Sequence, residues 1–181
     1  MTHEIHHSFV LSLYPTSRGF AFVLFERNGA LFDWGVKDIK EKHKNAKAFA
    51  EIRKLNDEYR PEALVIEATS DGEKPGRTSR IRKLYRMLVR LAAEEFIDIH
   101  RYSWKDVRSR LGFAGTATRH DIAQAVATQI PAFVIRVPKP RKAWMSESRW
   151  NGLFHAAALG LVYYQQTRCS NSGNPAEAQA G

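Results

Sequence analysis

The pattern of apolar runs along this chain predicts an α/β fold, a mixed five-stranded sheet with three antiparallel strands, then two parallel ones, flanked by helices. Three observations carry that expectation. The first third holds three short runs rich in β-branched and aromatic residues, separated by turn residues. After them, short apolar runs alternate with segments whose apolar residues recur at helical spacing. The chain has 181 residues, 44% of them hydrophobic, which suffices for one buried core and little more. A strand meander followed by strands alternating with helices closes into one sheet covered by helices.

The first strand is read over Ser8 to Leu13, ahead of the turn-like stretch Tyr14 to Gly19. A second apolar run spans Phe20 to Glu26 and a third Ala30 to Val36, with Asn28-Gly29 between them. Asn-Gly between two apolar runs is a strong hairpin signal, because both residues tolerate the left-handed backbone of a tight turn. Phe49, Ile52, Leu55 and Tyr59 give helical spacing from Ala46 to Tyr59, which Pro61 closes. Ala63 to Glu67 is a short continuous apolar run, as expected of a strand buried on both faces. The loop Ala68 to Arg77 precedes a helix from Ser79, with Ile81, Leu84, Leu88, Leu91 and Ala92 on one face. Phe96 to Tyr102 reads as the fifth strand. Ser103 is placed to cap a short helix through Leu111. Thr118, with Asp121 three residues on, resembles a capping box for a helix to about Gln129, ahead of Pro131. A basic connector, Pro138 to Met145, leads to a last helix over Glu147 to Gln166. The domain is thus expected over residues 8–166, between a short extension, 1–7, and a polar tail, 167–181, to which no structure is assigned.

Twenty-eight Lys and Arg against nineteen Asp and Glu give a formal charge of +9, which favours polyanionic partners, nucleic acid before anionic membrane. The single cysteine, Cys169, excludes an internal disulfide and a cysteine metal cage. The first residues lack the pattern of a signal peptide, and the longest apolar run, Leu153 to Tyr164, is too short to span a bilayer. A cytoplasmic location is the expectation. His3, His6 and His7 form a terminal cluster without fixed geometry, read as incidental. The chain has no GxxxxGK phosphate loop, no GxGxxG fingerprint, no zinc-finger spacing and no GxSxG elbow.

Four segments, in order, resemble the RuvC family of Holliday-junction resolvases, within the RNase H-like superfamily. Val10 to Phe20 is similar to the family's apolar strand, Asp-containing turn and second strand. Leu64-Val65-Ile66-Glu67 matches the strand that ends in a catalytic Glu. Ser103 to Arg108, through Gly112, Thr118-Arg119 and Ile122, resembles the helix, Gly loop and helix before the final motif. Leu153 to Leu161 looks like the last helix, where the family has an Asp before an Ala- and Leu-rich stretch. The resemblance covers roughly Ser8 to Tyr164 and implies an RNase H-like sheet. It also implies a phosphodiester cut by two divalent ions, Mg²⁺ or Mn²⁺, held by carboxylates, and a homodimer, because junction resolvases need two active sites.

Mapped onto these positions, the catalytic set is Glu67, His155 and Tyr14. Glu67 stands at the carboxylate position, and His155 where the family has Asp or, in some members, His. Tyr14 stands where an Asp normally bridges both ions, and a phenol with an ordinary pKa of about 10 is neutral and a poor Mg²⁺ ligand. Glu67 and His155 are the candidate metal ligands. Taken alone, Glu67 reads by default as a surface or helix-facing residue at a strand end, and His155 equally as a metal ligand or as a buried core histidine hydrogen-bonded to backbone. Gly152, one turn before His155, supplies no carboxylate. Glu147 and Asp71 are candidate reserves that read more naturally as solvent-facing.

The nucleic-acid-binding candidates are Lys74, Arg77, Arg80, Arg82, Lys83, Arg86 and Arg90 on one loop and helix, then Lys139, Arg141 and Lys142 ahead of the last helix. Lys and Arg neutralise phosphates, and Trp144 and Trp150, interleaved with Arg149 in the second group, offer faces for unpaired bases. A charge run is usually a solvated helix face, but here only Asp71 and Glu73 balance seven cations. The leading expectation is a nucleic-acid-binding protein for branched or single-stranded DNA, with hydrolysis lost or reduced, using Mg²⁺ or Mn²⁺ if it is active and otherwise no cofactor. An active endonuclease with an atypical site at Glu67, His155 and Glu147 is the alternative. A protein-interaction scaffold is the third.

Overall fold

The structure, a computed structural model, describes residues 8–68, 79–140 and 146–171, with side chains as far as residue 168. Strands β1 (Phe9–Pro15), β2 (Gly19–Glu26) and β3 (Leu31–Asp38) form the antiparallel meander. Helix α1 (Lys44–Tyr59) leads to β4 (Ala63–Glu67), and α2 (Ser79–Glu94) to β5 (Asp98–Tyr102). Both of these strands add in parallel, giving the order β3-β2-β1-β4-β5. Helices α3 (Trp104–Arg110), α4 (Arg119–Gln129) and α5 (Asn151–Asn171) follow, with a 3₁₀ helix over Pro131–Arg136. The mixed five-stranded sheet is the one expected.

The three central strands, β1, β2 and β4, are buried on both faces, which is why they read as continuous apolar runs. Leu11, Leu13, Leu64 and Ile66 point to α1 and α2, where Ile52, Leu84 and Leu88 close one core. Val10, Val23, Ala63 and Val65 point to α4 and α5, where Val126, Phe154 and Ala157 close the other. Helix α5 is the central helix of this second layer, buried on every side from Asn151 to Gly160, so its sequence is apolar without a polar face.

Small residues let α5 lie close to β1 and β2. Gly152, Ala156 and Gly160 recur every four residues, and the Ser12 hydroxyl donates to the Ala156 carbonyl at 2.6 Å. A Cβ on Gly160 would lie 2.2 Å from Cε2 of Phe25, a fully buried ring. Gly160→Ala is therefore expected to lower stability by about 1–3 kcal/mol, read as a fall in urea midpoint at unchanged slope. An unchanged midpoint would contradict this packing.

The structure moves several boundaries. Strand β1 runs on through Tyr14 and Pro15, which pair with Ala21 and Phe20 and so belong to the strand and not to the expected turn. Strand β3 reaches Asp38, and α1 starts at Lys44. Helix α5 begins at Asn151, not Glu147, and runs to Asn171, so the first residues of the expected tail continue the helix. Glu147 accepts from the Arg119 guanidinium and from Asn151 Nδ2 at 3.4 Å, bonds that hold it outside the helix. The 3₁₀ helix after Pro131 carries no apolar period long enough to signal it. Strand β5 starts at Asp98 because Phe96 is not extended: its φ is 56°, and it is 94% exposed. The Ile97 N–H donates to Ala92 O at 2.9 Å, a left-handed cap that ends α2. A left-handed non-glycine residue costs about 1–2 kcal/mol. Phe96→Gly removes that cost and forfeits almost no burial, so it is expected to raise the melting temperature. A lowered value would contradict the cap.

Both capping boxes form. Ser103 and Thr118 accept from the Asp106 and Asp121 amides, and each Asp side chain bonds back to its cap residue's N–H. Those side-chain bonds hold both carboxyls below their ordinary range, that from the Ser103 hydroxyl first for Asp106 and that from the Thr118 hydroxyl first for Asp121.

Candidate functional site

The C-terminal ends of β1, β4 and β5 lie side by side. Ser12 pairs with Val65, and Glu67 with Tyr102. Two residues beyond Ser12 and Val65, the same register sets Tyr14 beside Glu67, and alternation turns both toward α5. Tyr14, Glu67 and Tyr102 thus form a row across three strands. Above it, the His155 ring centroid lies 4.6 Å from that of Tyr14 and 4.6 Å from that of Trp104, which are themselves 6.1 Å apart. His155 is 5% exposed and Glu67 8%. From the opposite layer, the Tyr85 hydroxyl donates to Glu67 Oε2 at 3.4 Å. Burial, aided by Tyr163, pushes the Tyr102 hydroxyl up to about 12, so the row's other phenol stays protonated at neutral pH.

The structure thus brings Tyr14 and His155 into direct contact and sets Glu67 next to them by register. Trp104 and Tyr85 complete the surroundings. Neither was singled out from the sequence, because both enter through long-range packing.

This donor set does not fit a pair of divalent cations, which need hard oxygen ligands from several carboxylates. The row holds one carboxylate, and the imidazole above it is packed against two rings. Gly152 is closed to any replacement ligand: a Cβ there would lie 2.6 Å from Thr16 Cγ2 and 3.2 Å from Ala21 Cβ. Glu147 is engaged with Arg119. Among the described residues, no three His, Cys, Asp or Glu side chains come together in a group able to hold a metal ion. Asp71 and Glu73 lie outside the described residues, as do His3, His6 and His7.

On α2, the residues expected to face inward are buried or half-buried, and Arg82, Lys83, Arg86 and Arg90 are exposed. Because the helix runs away from the strand ends, Arg90 lies about 12 Å farther along it than Arg82. It also pairs with Glu94 at 2.8 Å. Arg80 differs from these four. Its half-buried guanidinium donates to Thr16 O and, at 3.1 Å, to Asn45 Oδ1, while Asn45 Nδ2 donates to Arg80 O at 2.9 Å. It ties the start of α2 to the β1–β2 turn and α1, and burial lowers its pKa. Lys139 is exposed. Lys74, Arg77, Arg141, Lys142 and Trp144 lie outside the described residues.

No protein-family model matches the chain, and no curated protein does. Solved structures do. Thermus thermophilus RuvC in complex with a Holliday junction substrate is 15% identical, with a TM-score of 0.61 over 90% of this chain and 96% of that one. The yeast mitochondrial Holliday junction resolvase is 15% identical, with a TM-score of 0.59 over 92% and 83%. The fowlpox virus Holliday junction resolvase is 14% identical, with a TM-score of 0.53 over 88% and 99%. Identities this low carry the architecture alone. The chain has the RNase H-like fold in the form these Holliday junction resolvases share.

Proposed function

We propose that this chain is a RuvC-like nucleic-acid-binding protein, directed at branched or single-stranded DNA, with hydrolysis lost or much reduced. One observation carries the reading: where the resemblance expects the carboxylate that bridges two ions, Tyr14 stands, packed against His155. Gly152 leaves no space for a substitute nearby. The exposed cations of α2 supply the attraction to phosphate, and the strand ends of β1 and β4 remain the point toward which DNA is presented. Two copies acting on one junction are part of the proposal, by analogy of fold. No resident metal is.

Affinity for a four-way junction, a single strand and a duplex, each measured across a salt series, tests it. The expected result is a linear fall of log K with log salt, with the junction or the single strand preferred over the duplex. Weak, salt-insensitive binding to all three would overturn the proposal and favour a protein-interaction scaffold.

A further inference from the structure

Away from α2, on the α5 face of the sheet, three segments distant in sequence place two tryptophans and two arginines together. Trp34 comes from edge strand β3, Arg136 from the end of the 3₁₀ helix, and Arg149 and Trp150 from the residues just before α5. The Arg136 guanidinium carbon lies 4.3 Å from the Trp34 ring centroid and 5.5 Å from that of Trp150. The Arg149 guanidinium carbon lies 5.1 Å from Trp150, and the two indoles are 6.3 Å apart. Arg149 is exposed, while Trp34, Trp150 and Arg136 are half-buried. Trp34 is backed by buried Phe133 at 5.4 Å, which fixes the indole from beneath. Asp33, the neighbouring acid, turns to the other side of the strand, where it accepts from the Tyr59 hydroxyl at 3.3 Å.

We propose that Trp150, with Arg136, Arg149 and Trp34, forms a subsite that stacks an unpaired nucleobase and neutralises its phosphate. Two guanidiniums over two indoles join the two elements by which single strands are held without sequence preference: a flat aromatic face and fixed positive charge. Position supports it. Trp150 lies on the turn before Gly152, and Gly152 packs on Thr16 of the β1–β2 turn and on Ala21 of β2, which pairs with Tyr14, so the patch borders the strand-end row. A strand crossing that edge would place one base at Trp150. The subsite rests on the nucleic-acid reading and deepens it by naming what is held: an unpaired base, as found at a branch point or in a single strand.

The test compares wild type with Trp150→Leu and with Arg136→Gln/Arg149→Gln, using oligo-dT and a duplex of equal length, with urea unfolding to confirm each fold. A five- to fiftyfold loss of affinity for oligo-dT in Trp150→Leu, with duplex affinity within twofold, is the expected result. The double Arg variant should weaken both, oligo-dT more. Equal losses on both nucleic acids with Trp150→Leu would reduce the patch to plain charge and overturn the stacking. Unchanged affinities would also overturn it, leaving the cluster as packing or as a protein contact. Photocrosslinking of wild type to a 5-iodouracil single strand needs no variant: adducts on the peptides holding Trp150 or Trp34 support the subsite, and adducts confined to other peptides refute it. If wild type binds no nucleic acid, the broader proposal falls; if it binds with the expected salt dependence but these comparisons fail, only the subsite does.

Discussion

Tyr14→Asp is expected to lose about 2–4 kcal/mol of stability in the absence of divalent cations. The substitution removes the ring contacts of Tyr14 with His155 and Trp104, each about 0.5–1.5 kcal/mol beyond simple burial. It also sets a second carboxylate beside the buried Glu67, on a neighbouring strand about 5 Å away. Two like charges that close cannot both ionise without cost. The same pair supplies the first two hard ligands of a cation site, so millimolar Mg²⁺ or Mn²⁺ should raise the melting temperature of Tyr14→Asp and leave that of wild type unchanged. Thermal unfolding with and without each cation reads both effects. Strong cleavage is not expected to return, because Gly152 still leaves the third ligand position closed. A variant as stable as wild type, with no response to cations, would show that the Tyr14 ring does not fill the position assigned to it.

Replacing Arg82, Lys83, Arg86 and Arg90 together by glutamine is expected to weaken junction binding by roughly two orders of magnitude near 50 mM salt. Each phosphate contact contributes about 0.9 to the slope of log K against log salt, so the four-residue variant should have a slope shallower by about 2–3.6. Arg90 should contribute least, since Glu94 already pairs with it and it stands farthest from the strand ends. The side chains are exposed, so unfolding should shift by no more than about 0.5 kcal/mol for each change. Arg80→Gln should behave in the opposite way, costing stability through the lost ties to Thr16 and Asn45. An unchanged slope in the four-residue variant would remove α2 from the interface.

The readable parts of this fold were those fixed by local chemistry. Asn28-Gly29 marked its hairpin because Gly29 adopts a φ of 84° there. The apolar run from Ala63 to Ile66, closed by Glu67, marked β4 to the residue, since burial on both faces leaves no polar position before its last residue. Ser103 and Thr118 identified their helix starts because a cap is a contact between residues three apart. What could not be read depends on contacts between distant residues. Phe96 looks like the first residue of a strand and is a left-handed helix cap instead. Arg80 is indistinguishable in sequence from Arg82, yet Thr16 and Asn45 make it a tie between elements. At the candidate site, the order of four weak motifs is what proposes Tyr14, Glu67 and His155, and the contact of Tyr14 with His155 spans residues far apart in the chain. The closure at Gly152 became visible only with Thr16 and Ala21 in place, and the Trp34 and Arg136 contribution only with β3 set against the 3₁₀ helix.

The most direct measurement is cleavage of a four-way junction by wild type, at protein concentrations that saturate binding, with Mg²⁺ and separately with Mn²⁺. The predicted result is a junction fully bound and left uncut, or cut at only a trace rate, with either ion. Rapid metal-dependent cutting that Glu67→Ala abolishes would contradict it, and would mean that Glu67 and His155 hold a working metal site despite Tyr14.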